Sequence, residues 1–273
     1  MRPFLLVVVL MRAMVAIAQV PVGNEWIDYD RQYWRFDVYQ DGLHRLDSAT
    51  LAAAGFPVGA VDPAHIMVFG REQQIPIHIE GGADGVLNAG DHVEFIGRKN
   101  DGWIDGRMYA LPDQQGNPYY SLFNDTIHYF ITWDPDPSVQ KLRVLPYSDP
   151  DIAAHSVRPW VWSSTVNGLH DQYWYGLLSG TYHLTSGLML AGESFGGPGL
   201  INTNGTASTA LSASTPRAFT GAGAPDARVE VVTAGQDISG PLQPDHHLQL
   251  ITGPGQTIRV DTVFMGNKVI RSR

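Results

Sequence analysis

Glu80–Gly97 reads EGGADGVLNAGDHVEFIG. Glu80, Asp84, Asn88 and Asp91 are interleaved with glycines, and the run then passes into the alternating residues His92–Ile96. Counted from Glu80, Asp84 takes position five of a twelve-residue loop, Gly85 six, Asn88 nine and Asp91 twelve. That is the cadence of a calcium loop, in which oxygen ligands converge and a glycine permits the sharp bend. Glu80, Asp84, Asn88 and Asp91 are therefore candidate Ca²⁺ ligands. Two features oppose this. Gly82 stands at position three without a side-chain oxygen, and the flanking segments read as strands, not helices. The competing reading is a β-connection whose Asp and Asn side chains close Asx-turns.

The rest of the chain supports strands. Charged residues are 16% of 273, while Gly (29), Pro (18) and aromatics (10%) are plentiful, a mixture that favours short strands and tight turns. Trp34–Tyr39 alternates, with Trp34, Phe36 and Val38 on one face, Gln40-Asp41-Gly42 reads as a hairpin turn, and Leu43–Leu46 as the returning strand. Asp47 or Ser48 is placed to cap a short helix over Ala49–Ala54, ended by Gly55. Further strands are expected at Ile66–Gly70, Ile75–Ile79, His92–Ile96, His128–Trp133, Arg228–Val232, His247–Ile251 and Thr257–Phe264. Between them, 99–121 reads as a long polar loop. Prolines 135, 137, 146 and 150, with Asp134, Asp136 and Asp149, mark a boundary near residue 150.

The N-terminus carries Arg2, the short apolar run Phe4–Met11 and the small-x-small site Ala16-Ile17-Ala18, the pattern of a cleaved signal peptide over 1–18. Its loss removes two arginines and no acid, taking the net charge from −9 to −11. Such acidity opposes nucleic-acid binding. No other stretch is apolar enough for a transmembrane span. The chain has no cysteine, so an exported form has no disulfide, thiolate ligand or cysteine nucleophile.

Three further patterns have two readings each. Trp160, Trp162 and Trp174, with Tyr173 and Tyr175, form either ordinary packing or a sugar-stacking platform. Gly192-Glu193-Ser194-Phe195-Gly196 matches the nucleophile-elbow pattern, with Asp226 and His246 or His247 following in order. The elbow needs a helix after the serine, and Gly197-Pro198-Gly199 opposes one. Asp47-Ser48-Ala49, Asp125-Thr126-Ile127 and Asp261-Thr262-Val263 look like the O-glycosylation acceptor of Bacteroidetes.

Several separated segments then point one way: Trp34–Val38 with Asp41–Leu46, Leu51–Gly55, Asp62-Pro63 with Ile66–Gly70, the ADGVLNAGDHVEFIG block, and Tyr120–Asn124 before Tyr129–Trp133. With Gly192–Phe195, His247–Leu250 and Asp261–Gly266, they resemble the N-terminal region of gingipain-like cysteine peptidases, especially the sortase-like peptidase of the Bacteroidetes type IX secretion system. The resemblance spans roughly residues 30–270. It implies an accessory region without catalytic residues, because the family's His and Cys lie in a peptidase domain beyond it.

The expected architecture is all-β. A β-rich N-terminal domain with one short helix (24–148) precedes a jelly-roll-like β-sandwich (150–273), incomplete at its C-terminal edge as in a truncated gene product or split subunit. The expected role is to support or dock a peptidase domain in the periplasm, on the outer-membrane surface or outside the cell. Expected partners are that domain, secretion-system components or secreted cargo. The alternatives are a secreted carbohydrate- or envelope-binding β-module, with or without calcium, and a serine hydrolase using Ser194.

Overall fold

The computed structural model describes residues 23–148, 150, 151, 153, 155–175, 188–200, 206–212, 217–236, 244, 246–253 and 255–273. Residues 1–18, read from sequence as a signal peptide, and Asp149 lie outside the described residues. The protein is all-β: antiparallel sheets carry the described structure, with one α-helix, Ser48–Ala53, and four short 3-10 turns. It divides into two compact units. One comprises the described residues of Met1–Lys99 with Thr126–Tyr147, and the other Asn100–Asp125 with Ser148–Arg273. The division between the units at 147/148 lies beside the proline-marked boundary, while 100–125, which holds most of the loop read from sequence over 99–121 of the first domain, groups with the second.

The first unit contains seven strands: β1 (Trp34–Val38), β2 (Gly42–Asp47), β3 (Ile66–Gly70), β4 (Gln73–Ile75), β5 (Ile77–Glu80), β6 (His92–Gly97) and β7 (Ile127–Trp133). They form a four-stranded sheet, β1-β7-β3-β4, and a three-stranded sheet, β2-β6-β5. Val38, Ile66, Val68, Tyr129 and Ile131 from the first join Ile77, Val93 and Phe95 from the second in one core, closed by Leu51, Phe56, Val61 and Leu87. Phe95 meets Phe36 at 5.6 Å and Tyr129 at 5.7 Å between ring centroids, so aromatic packing links the two sheets.

β3 is buried along its whole length, as its unbroken apolar sequence requires. Its core side faces Ile77 and Phe95, and its outer side is covered by the polypeptide before β1. There Trp26 stacks on Phe69 at 5.1 Å and meets Phe130 at 5.3 Å, with Tyr33 edge-on to Trp26 at 5.7 Å. Gln32 accepts a 2.7 Å hydrogen bond from the buried Thr132 hydroxyl, which fixes this cover.

Two turns differ from the sequence expectation. Gln40-Asp41-Gly42 does not make a hairpin, because β1 pairs with β7 and β2 with β6. A two-residue hairpin needs left-handed or related backbone at its turn residues, and in this turn only Gly42 has positive φ. The chain instead passes from one sheet to the other, with Asp41 accepting from the Lys99 amide at 2.8 Å. The expected strand Ile75–Ile79 is split at Pro76. Proline cannot donate to a ladder, so β4 ends in the larger sheet and β5 starts in the smaller one. Between β3 and β4, Arg71 (φ 53°) and Glu72 (φ 63°) turn the chain back in two left-handed residues, without glycine or asparagine.

Asp47 caps the helix by accepting from the Thr50 amide at 2.6 Å, and Gly55, at φ 81°, follows its end. Leu51 is the helix's apolar anchor in the core.

In the second unit the described residues form three two-stranded antiparallel ladders. β8 (Gln172–Trp174) pairs with β9 (Ser194–Gly196), β10 (Val231–Gly235) with β13 (Lys268–Ser272), and β11 (His246–Thr252) with β12 (Thr257–Phe264). The sequence expected β10 three residues earlier and did not mark β8 or β9. Segment 100–125 belongs here because its polar groups are used here. The Met189 amide donates to Met108 O at 2.7 Å and the Gly192 amide to Gln114 O at 2.8 Å. Asn117 Nδ2 bridges Leu169 O (2.9 Å) and Phe195 O (3.1 Å). Gln115 Nε2 donates to Gly102 O and Asn117 O, both at 3.2 Å, and Asp105 accepts from the Leu122 amide at 2.7 Å. Buried side chains thereby satisfy loop backbone that would otherwise be costly to bury.

Candidate functional site

In the loop between β5 and β6, the candidate ligands are not gathered around one point. Asp84 accepts from the Val86 amide at 3.2 Å, an Asx-turn, and from Asn88 Nδ2 at 2.6 Å. Asp91 accepts from the Asn88 amide at 2.7 Å, and the Asp91 amide donates back to Asn88 O at 3.0 Å. Glu80 lies within 3.2 Å of His78 Nε2 on the outer face of the sheet. Among the described residues, no group of three or more His, Asp or Glu side chains is arranged to hold a metal ion.

What the loop does is mechanical. It places Leu87, 4% exposed, in the core, with the Leu87 amide donating to Val58 O at 3.4 Å. Asp91 O accepts from the Ser48 amide at 3.0 Å, tying the loop to the helix. Gly81 (φ 97°) and Gly85 (φ 87°) supply conformations that a side chain resists. A Cβ at Gly81 would also overlap the Asp91 carboxylate.

The same loop forms one wall of a hollow of about 360 Å³ in the first unit. Pro63, Ile77, Ile79 and Val144 supply apolar walls, with Gly82 and Ala83 from the loop and His78 and Arg143 as polar groups. Arg143 is half-buried, and burial lowers its pKa from the ordinary value. Its guanidinium donates to Ala64 O (2.7 Å), Pro63 O (3.3 Å) and Leu142 O (3.1 Å). No carboxylate among the described residues pairs with it. No local pattern in the sequence points to this site, because Arg143 comes to β5 from more than sixty residues away.

In the second unit, Trp160 and Trp162 meet edge-on at 5.6 Å and 80°. Trp162 is 56% exposed, and the Arg228 guanidinium lies 5.3 Å over its ring. Trp174 is not gathered with them. Its indole N–H donates to Gly197 O at 3.2 Å, and its ring packs against Gly196 and Gly199. Tyr173 donates to the Glu193 carboxylate, Tyr109 donates to Glu193 O, and the Leu190 amide reaches the second carboxylate oxygen at 3.0 Å. Burial, then the Glu193 carboxylate, pushes the Tyr109 and Tyr173 phenols well above their usual range, so they remain donors at neutral pH. Tyr120 stacks on His170 at 4.4 Å and meets Phe195 edge-on at 5.3 Å, an aromatic group assembled across the sequence.

Ser194 opens a strand instead of a helix. It is 5% exposed and donates to Gly192 O at 3.2 Å. Its candidate partners are engaged elsewhere: His247 bonds Asp261 at 2.5 Å, and His246 stacks on Phe264 at 4.7 Å. The elbow therefore does not form, since strand β9 holds the serine inward. Of the three Asp-Ser/Thr tripeptides, Ser48 is buried and Thr126 and Thr262 are half-buried.

Among the described residues no helix is long and apolar enough to cross a membrane. No known protein family, curated protein or solved structure gives a significant match to the chain.

Proposed function

We propose that this chain is an exported, non-catalytic docking module, corresponding to the accessory N-terminal region of a gingipain-like, type IX secretion-associated peptidase. Its partner is the cysteine peptidase domain of such an enzyme. The observation that carries this reading is the segment 157–166. It has no strand or helix, yet it presents Val157 (93% exposed), Val161 (80%), Trp162 (56%) and Val166 (54%). Four exposed apolar side chains within ten residues of an otherwise acidic chain are characteristic of a partner surface. A Trp stacked with an Arg is the type of anchor that dominates such interfaces. Export rests on the signal-peptide pattern of residues 1–18, and the partner class on the resemblance given above.

The test is direct binding of the purified chain to a gingipain-like peptidase domain, measured by size-exclusion chromatography with light scattering. A one-to-one complex, weakened at least about tenfold by Trp162→Ala, is expected, a loss of about 1.4 kcal/mol. Hydrolysis of a peptide substrate by the chain alone, or no complex at micromolar concentration, would overturn the proposal.

A further inference from the structure

The hollow beside β5 combines three features that suit a ligand. The first is a cation without a counter-charge. Arg143 gives its described hydrogen bonds to the carbonyls of Pro63, Ala64 and Leu142, which neutralise nothing. A guanidinium has five N–H donors; Nη1 gives one and Nη2 two to these carbonyls, so Nε–H and one Nη1–H remain to meet an anion, each through a single charge-assisted bond.

The second feature is an open stretch of sheet edge. Ile77 donates to Leu142 O at 3.3 Å and accepts from the Val144 amide at 2.9 Å, a parallel bridge from residues 142–144 onto the outer edge of β5. In an antiparallel ladder, alternate residues direct both backbone groups to the same side. Ile79, paired with Val93 as Ile77 is with Phe95, therefore turns its N–H and C=O to that same outer edge. The bridge stops at Ile77, and Ile79 lines the hollow.

The third feature is an apolar floor. Ile79, partly buried, and Val144, 51% exposed, give the accessible apolar surface of a space of about 360 Å³, and the fully buried Pro63 and Ile77 close it from beneath. That volume lies at the lower end of the ~300–1,000 Å³ typical of small-ligand sites.

We propose that this hollow binds the C-terminal end of an extended peptide. The terminal carboxylate sits on Arg143, the backbone adds to β5 at Ile79, and an apolar side chain rests on Ile79 and Val144. Edge addition supplies main-chain hydrogen bonds, and the carboxylate supplies direction and specificity. Half-burial of Arg143 favours it, since a desolvated cation gains more from an anion than one in water. His78 at the rim is already within reach of Glu80, so the anion is assigned to Arg143 alone.

The experiment is isothermal titration calorimetry of the full chain with three probes. They are the peptide acetyl-Ala-Val-Ala-Val with a free carboxylate, the same peptide as its C-terminal amide, and isovalerate. The acid is expected to bind at least about tenfold more tightly than the amide and than isovalerate. Arg143 also ties Pro63 and Ala64, so Arg143→Gln is paired with Ala83→Phe. The latter fills the hollow from an exposed position and leaves the Arg143 bonds intact. Each variant is expected to remove binding, with the far-UV circular dichroism of Ala83→Phe unchanged. Equal affinity for acid and amide, binding unaffected by a folded Ala83→Phe, or no binding of the acid would overturn the proposal. Isovalerate binding as tightly as the peptide would overturn the peptide part and assign the site to small carboxylates.

Discussion

Replacing Gly81 by alanine tests the account of the β5–β6 loop most directly. Gly81 has φ 97° and ψ −43°, outside the regions open to residues with a side chain. Holding alanine there costs about 1–3 kcal/mol. The new methyl would also meet the Asp91 side chain, whose Cβ lies 2.9 Å from its position and whose carboxylate it would overlap. Asp91 must then swing away and release the Asn88 amide, which it holds at 2.7 Å. That bond is worth about 0.5–1.5 kcal/mol. The expected total is about 2–4 kcal/mol, a large share of the ~5–15 kcal/mol of a typical domain. Native-state hydrogen exchange at the Val93 and Phe95 amides reads the first unit alone, since both lie in β6. Protection there should fall by about 2–4 kcal/mol. In an Asp91→Ala background, Gly81→Ala should lose only the backbone part, leaving a coupling of about 0.5–1.5 kcal/mol. A cost below about 0.5 kcal/mol, or equal costs in both backgrounds, would refute the assignment of Gly81 and Asp91 to one mechanical unit.

Adding calcium, or removing it with EDTA, should leave the melting temperature within about 1 °C, because Asp84 and Asp91 are already engaged in turn hydrogen bonds; a concentration-dependent rise would restore a metal role. Leu87→Ala should lower stability by about 2–4 kcal/mol in urea unfolding, as expected for a core leucine in a loop that cannot collapse freely. Tyr173→Phe should cost about 1–2 kcal/mol by leaving a Glu193 oxygen without its donor. Absorbance titration of that variant should lose one of the late-ionising phenols. The amide hydrogen bond from Thr50 holds the Asp47 carboxyl below its ordinary 3.8. Its stabilisation is therefore present above about pH 4 and lost as pH falls through the lowered value, so Asp47→Asn should flatten the melting temperature between pH 5 and pH 3.

Periodicity alone located most of the first unit. Ile66–Gly70 is a strand with the expected bounds, Trp34–Val38 ends one residue before the expected Tyr39, and Asp47 with Gly55 brackets the helix. Local chemistry sets those features: alternation, capping and a left-handed stop. The errors arose where one residue decides between two long-range pairings. Pro76 divides an apolar run between sheets, and the Gln40–Gly42 turn carries the chain across the core instead of reversing it. β8 and β9 are three-residue ladders with no periodic signal. The placement of 100–125 depends on Asn117, Gln115 and Tyr109 finding carbonyls far along the chain, which spacing does not encode.

The same distinction separates the candidate sites. Adjacent residues located the β5–β6 loop, where a carboxylate that terminates a turn has the same spacing as one that holds an ion. Asp84 makes the turn contacts: its two oxygens accept from Val86 and Asn88, at most four residues away. Arg143 is the opposite case. Alone in sequence among Leu142, Val144 and Leu145, it looks like a surface cation beside a strand. Only when residues 142–144 bridge to Ile77 does its charge enter an apolar hollow whose wall is that loop. A positive group desolvated against carbonyls, beside an open edge at Ile79, is costly without an anion. In the proposed site the loop contributes the wall beside Arg143 through Gly82 and Ala83, and the Asp84 and Asp91 turn bonds hold that wall in place.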